Sequence, residues 1–389
     1  MESSHTYFGY LRKMIGDPAA IDQEKMRLDE LILKIGTSIK SRLTPKTVPS
    51  LLWYLALQEI QRVMPLVGIP LSDFAGHARY LRSLCAAVPF SSVKPADDPG
   101  TDELFASCER LWRALFHREM LDDLKLTEES TETRQRFMMA AMSSLLNAIQ
   151  GDLTYIEQVE DRVKRLFSPF SAEIIEPVLG LTTDEVIRGF QKVRSVIEDR
   201  WNLAMGLSIP LVERWREFGC RYDAGASGEE LDAIGCDPQT REAATAFASS
   251  VDILNSLLLF TPKDLASELG QRSEAFLNAF SFKPGEINQT TLSPMDDDEV
   301  RRRPFASIGD SSYILLDVYY CSYAPPRRLL ECFDTDRKLQ RLHKRRDDSL
   351  EDEAARLFES VVKPERIVRG YFVPVGVDGR LAERDLLMV

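Results

Sequence analysis

Along the first two-thirds of the chain, apolar residues return every three or four positions, which is the period of one helix face. After Asp17-Pro18-Ala19, the apolar positions are Met26, Leu28, Leu31, Ile32 and Ile35. An aspartate before a first-turn proline is a helix start, because the proline has no N–H to leave unsatisfied. A second helix follows Thr47-Val48-Pro49-Ser50, carries Leu51, Leu52, Leu55, Ile60 and Val63, and ends near Pro65. Ser72-Asp73 opens a third that runs through Cys85, and Asp102 to His117 and Thr131 to Ile149 make a fourth and a fifth. Thr182-Thr183-Asp184-Glu185 is a capping box ahead of a stripe of Val186, Phe190, Val193 and Val196. Thr261-Pro262-Lys263-Asp264 starts another helix, with Leu265, Leu269, Phe276 and Phe280 continuing the pattern. Trp53, Trp112, Trp201 and Trp215 fall inside these helices and are expected in the core, as is the run Met138-Met139-Ala140-Ala141-Met142. No fixed repeat period is present, so the helices do not read as a solenoid.

The pattern changes near residue 283. Lys283-Pro284-Gly285 and Pro294-Met295-Asp296-Asp297-Asp298-Glu299 read as an exposed linker over residues 284–303, and a shorter break with Pro89, Pro95 and Pro99 falls at 88–100. Beyond it, Gly309-Asp310 introduces a strand at Ser311 to Leu316. A helix carrying acids then spans Arg345 to Phe358, followed by a strand from Ile367 to Val373, a Val377-Asp378-Gly379-Arg380 turn, and a strand from Glu383 to Val389. Asp-Gly between two apolar runs predicts a hairpin, since glycine takes positive φ without steric cost. The expected fold is mainly α: a multi-helical region over 1–283, then a small α/β segment over 304–389.

Composition narrows the chemistry. A length of 389 residues is ample for two or three domains. The formal charge of −12 opposes indiscriminate binding to nucleic acid or acidic membranes, so any nucleic-acid surface must be local. Six widely spaced cysteines with no Cys-x-x-Cys fit reduced thiols in a cytoplasmic protein, and four histidines without a His-x-x-x-His pair do not suggest zinc. The N-terminus has no secretory signal pattern, and no apolar run approaches the roughly 20 residues that span a bilayer. Phosphate-loop and serine-elbow motifs are missing. One basic stretch stands out, with Arg327, Arg328, Arg341, Lys344, Arg345 and Arg346 among its cations. It can track a phosphate backbone, or be a solvated helix face with its own ion pairs.

The order of helix, strand, Asp-Gly hairpin and strand with Glu383-Arg384-Asp385 resembles the PD-(D/E)xK nuclease superfamily, including restriction-like and nuclease-related domains, over residues 340–389. The resemblance implies a helical glutamate at Glu351, with Glu359 as the second candidate, and a strand aspartate at Asp385. Together these would contribute part of a Mg²⁺ site for phosphodiester hydrolysis of DNA or RNA, in a setting such as defence against foreign nucleic acid. The Glu-x-Lys pair that such a site needs would lie one strand beyond Val389. Residues 1–389 are therefore expected to be a non-cleaving part, fragment or degenerate form, with a downstream segment or a protein partner completing the sheet. Taken residue by residue, Glu351, Asp352 and Glu353 also read as acidic turns of a solvated helix, and Asp385 as an edge charge against aggregation. The alternative expectation is a non-enzymatic helical scaffold or interaction protein.

Overall fold

The computed structural model describes residues 17–63, 74–91, 100–125, 156–294, 296, 298–309, 311–318, 320–361, 367–375 and 380–388. The helix expected over Thr131 to Ile149, the hairpin turn at 377–379 and Val389 lie outside the described residues. The fold is mainly helical, with a small four-stranded mixed sheet. It divides into two units: residues 1–154 with 189–324, and residues 155–188 with 325–389. No described helix is long and apolar enough to cross a membrane.

The first unit opens with α1 (Pro18–Arg42), α2 (Val48–Val63), α3 (Phe74–Ala86) and α4 (Thr101–Lys125). Asp17 caps α1 as its sequence predicts, accepting the Ala20 N–H at 3.1 Å. α1 and α4 pack antiparallel: Arg42 pairs with Glu103 near one end, and Asp29 with Arg118 at 3.0 Å near the other. Leu28, Ile32 and Ile39 of α1 and Leu104, Cys108 and Leu111 of α4 are buried.

The long helix α7 (Thr183–Asp223) enters this unit at Gly189 and is followed by α8 (Gly228–Cys236) and α9 (Pro238–Asn255). Next come β1 (Leu259–Phe260), α10 (Pro262–Leu269), α11 (Ser273–Ala279), β2 (Ser281–Phe282), β3 (Phe305–Gly309) and β4 (Ser312–Leu315). The sheet order is β1-β4-β3-β2, antiparallel except for the parallel β2/β3 pair. Two of these strands, β1 and β2, occur where the sequence showed only helical spacing. They are two residues long, too short for alternation to stand out from a helix stripe.

The sheet is organised around phenylalanines. Phe190, Phe260, Phe276, Phe280 and Phe305 are fully buried, and Phe190 lies 4.8 Å from Phe280 and 5.0 Å from Phe276 in edge-to-face contacts. Residues 284–303 correct the expectation of an exposed linker. Gly285 N–H donates to the Ala86 carbonyl at 2.9 Å, Asn288 Nδ2 to Ser83 Oγ at 3.0 Å, and Tyr80 OH to the Leu292 carbonyl at 2.7 Å. Thr291, Asp298 and Val300 are buried. Part of the segment's polarity satisfies groups of α3, while Glu286, Gln289, Thr290 and Asp296 face water.

The second unit contains α5 (Ile156–Phe167), a 3₁₀ turn, a π-helical turn (Ser171–Ile175) and α6 (Glu176–Leu179). It also holds the end of α12 (Tyr320–Leu330), α13 (Asp336–Val361), β5 (Ile367–Val375) and β6 (Arg380–Met388). β5 and β6 form an antiparallel hairpin in the register Ile367 opposite Met388. Phe167 and Phe170 close on Phe333 with ring centroids 5.9 and 5.3 Å apart.

Candidate functional site

α13 carries most of the residues singled out in the sequence. Lys338, Leu342, Arg345, Ser349, Asp352 and Ala355 recur at three- and four-residue intervals and form its partly or fully buried stripe, packed beside α5. The alternation of charges around that stripe is therefore a helix-packing pattern first.

The basic residues separate into two groups. Arg341 makes a bidentate pair with Glu173, at 2.6 and 2.7 Å, and its guanidinium lies 5.3 Å from the Phe170 ring centre. The hydrogen bonds from Arg341 hold the Glu173 carboxyl below the ordinary carboxylate range. Arg345 Nε donates to the Arg165 carbonyl at 3.2 Å, while Arg165 itself pairs with Glu353 at 3.0 Å. Arg328 pairs with Glu331, and Arg327 is half-buried. Arg341, Arg345 and Arg328 are thus engaged within the second unit. Lys344 and Arg346 face solvent, and Arg346 pairs with its neighbour Asp347 at 2.9 Å.

Glu351 is half-buried on α13 and makes no hydrogen bond or ion pair among the described residues. Asp385 falls on β6, and its side chain lies outside the described residues, as does that of Glu359. α13 packs beside β6, so the elements bearing Glu351 and Asp385 are neighbours. Among the described residues no group of three or more His, Cys, Asp or Glu is arranged to hold a metal ion. The described side chains do not by themselves build a divalent-cation centre, and no hydrolytic step follows from them.

A second basic surface escaped the sequence reading because it joins helices far apart in the chain. Between α1 and α4 a cleft of about 440 Å³ is lined by Arg27, Lys34, Arg110, Arg113 and His117 around Leu28, Leu31 and Ile35. Arg27 and Arg113 also pair with Glu24 and Glu109 on their own helices. Burial pushes the His117 imidazole below its ordinary value, against the pull of Glu24. The signal available in the sequence was the seven-residue repeat of cations within each helix, Arg27 to Lys34 and Arg110 to His117. Nothing local says that the two rows face one another.

Thiol chemistry is not supported in the core. All six cysteines are free, and burial pushes Cys85 and Cys108 up to about 12, where the nucleophilic thiolate is scarce. Trp201 and Trp112 are buried as expected, but Trp215 is 72% exposed. Comparison of the chain with protein-family models, with curated proteins and with solved structures finds no match.

Proposed function

We propose that this protein acts on nucleic acid, its C-terminal unit carrying the helix-and-hairpin portion of a restriction-like, metal-dependent nuclease core. In this reading residues 1–389 bind nucleic acid without cleaving it, in the cytoplasm, where six free thiols stay reduced. The observation that carries the reading is the succession of α13, β5 and β6, with β5 and β6 antiparallel and α13 packed beside β6. That succession sets Glu351 and Asp385 on adjacent elements, as the resemblance requires of the first two carboxylate positions. Mg²⁺, when bound by such carboxylates and a phosphate, would supply charge neutralisation; Glu351 and Asp385 would contribute oxygen ligands, and Lys344 and Arg346 would meet the phosphate backbone.

The test is thermal denaturation with and without millimolar Mg²⁺ or Mn²⁺, run beside anisotropy titrations with short DNA and RNA duplexes. Metal should raise the melting temperature of the wild type, and Asp385→Asn should remove the increase. Absence of any metal response together with absence of nucleic-acid binding overturns the proposal.

A second reading, a non-enzymatic helical interaction protein, is favoured by a different observation. Arg341, Arg345 and Arg328 are engaged by partners within their own unit and are fully explained as structural cations. Under this reading neither metal nor nucleic acid changes the protein, while truncating Arg341 lowers its stability.

A further inference from the structure

The amphipathic stripe of α7 runs on after its core ends. Phe190, Val193, Ile197 and Ala204 are buried on one side of the helix, and Ser208 on that side bonds Ser250 at 2.9 Å. The same side continues at intervals of four and three residues through Val212, Trp215, Gly219 and Tyr222. There Val212 is 61%, Trp215 72% and Tyr222 66% exposed, with Phe218 and Ile209 flanking them at 38% and 53%. Three turns of a core-type stripe thus face water. Polar ties, such as Arg214 to Asp237 at 2.9 Å, hold this half of α7 along its flank and leave the stripe open.

The pattern itself indicates what covers it. Two large aromatic residues, Trp215 and Tyr222, sit seven positions apart with Gly219 between them, and a Cβ at Gly219 would meet nothing within 4 Å. When such a helix meets a copy of itself running antiparallel, a two-fold axis near residue 217 brings each Trp215 onto the other helix's Gly219, and each Val212 onto the other's Tyr222. Large residues meet small ones twice over, as interdigitated helix packing requires. Val212, Trp215, Phe218 and Tyr222, which the partner helix reaches in this register, present about 500 Å² per copy, so a pair would bury about 1,000 Å², the lower size of a specific interface.

We propose that this face is a homodimer interface, formed by antiparallel pairing of α7 with α7 of a second copy in the Trp215-on-Gly219 register. The full chain is examined by sedimentation velocity across roughly 1 to 100 µM, which brackets micromolar dissociation constants. The wild type should reach twice the 44.2 kDa chain mass. Trp215→Ala removes the large residue, and Gly219→Leu fills its seat while raising helix propensity. Both variants should sediment at half the wild-type mass with unchanged circular dichroism. A wild type of single-chain mass at the highest concentration overturns the proposal and leaves the face to a different protein. A dimer that neither substitution disturbs overturns it equally.

Discussion

Asp298 is 4% exposed, and burial raises its carboxyl above the ordinary range despite hydrogen bonds from Asn288 Nδ2 at 2.8 Å and Val300 N–H at 3.1 Å. A raised folded-state value means that the protonated form is favoured by folding. Its contribution is full below the unfolded aspartate value and is lost as pH rises to the raised folded value. Asp298→Asn, whose Oδ1 can keep the bond from Asn288, should therefore raise the melting temperature at pH 7 and change it little at pH 3. Glu173 has the opposite sign: its contribution is present above the ordinary carboxylate value and lost as pH falls through the lowered one. Arg82 is a different case, 3% exposed, bonded to Asp317 at 3.0 Å and to the Leu55 carbonyl at 3.2 Å. Arg82→Ala removes a counter-charge from a buried carboxylate and should cost about 3–5 kcal/mol in chemical denaturation. Neither Asp298 nor Asp317 was distinguishable in the sequence from solvated acids, because burial of a charge depends on residues more than a hundred positions away.

At the scale of elements, α7 packs on α11 through a glycine. A Cβ at Gly189 would stand 2.5 Å from Phe276 Cδ2, a distance side chains do not tolerate. Gly189→Ala should destabilise by about 1–3 kcal/mol through displacement of that ring, although alanine is the better helix former. Gly206, in the same helix with nothing near its Cβ, is the control: Gly206→Ala should stabilise by up to about 1 kcal/mol. Equal effects at the two positions would show that Phe276 does not press on α7. A second close approach occurs at Gly36 of α1, where a Cβ would overlap the Leu292 carbonyl. The start of α7 was legible from its cap: Thr182 Oγ1 accepts the Glu185 N–H at 3.2 Å and the Glu185 carboxylate accepts the Thr182 N–H at 2.8 Å, as their spacing predicts.

Over the whole molecule, a charge of −12 makes any contact with nucleic acid local and salt-sensitive. Lys344 and Arg346 face solvent on α13, whereas Arg341 and Arg345 are held by Glu173 and the Arg165 carbonyl. If the C-terminal unit binds duplex DNA, substituting Lys344 and Arg346 by glutamine should lower the slope of log affinity against log salt by roughly two, since each lost phosphate contact removes about one. An unchanged slope with unchanged affinity would exclude α13 as the contact surface. The α1/α4 cleft, with cations at Lys34 and Arg110, then becomes the next surface to alter.

The sequence by itself determined the class of fold and the capped helix starts at Asp17 and Thr182, because caps and three-to-four spacing act between neighbours in the chain; α13 instead begins at Asp336, nine residues before the expected Arg345. It also anticipated the antiparallel pairing of β5 and β6, through two apolar runs close together in the chain. The tertiary structure alone decided which equivalent-looking positions are buried. Trp201 and Trp215 share one helix and one pattern, yet the first is 3% exposed and the second 72%. Arg341 and Lys344 lie one turn apart, yet Glu173 engages only the first. The strands at Leu259–Phe260 and Ser281–Phe282 exist because Phe305–Gly309 and Ser312–Leu315 lie beside them to pair with their backbones. Each of these outcomes depends on which distant segment arrives alongside, and local periodicity carries no record of that.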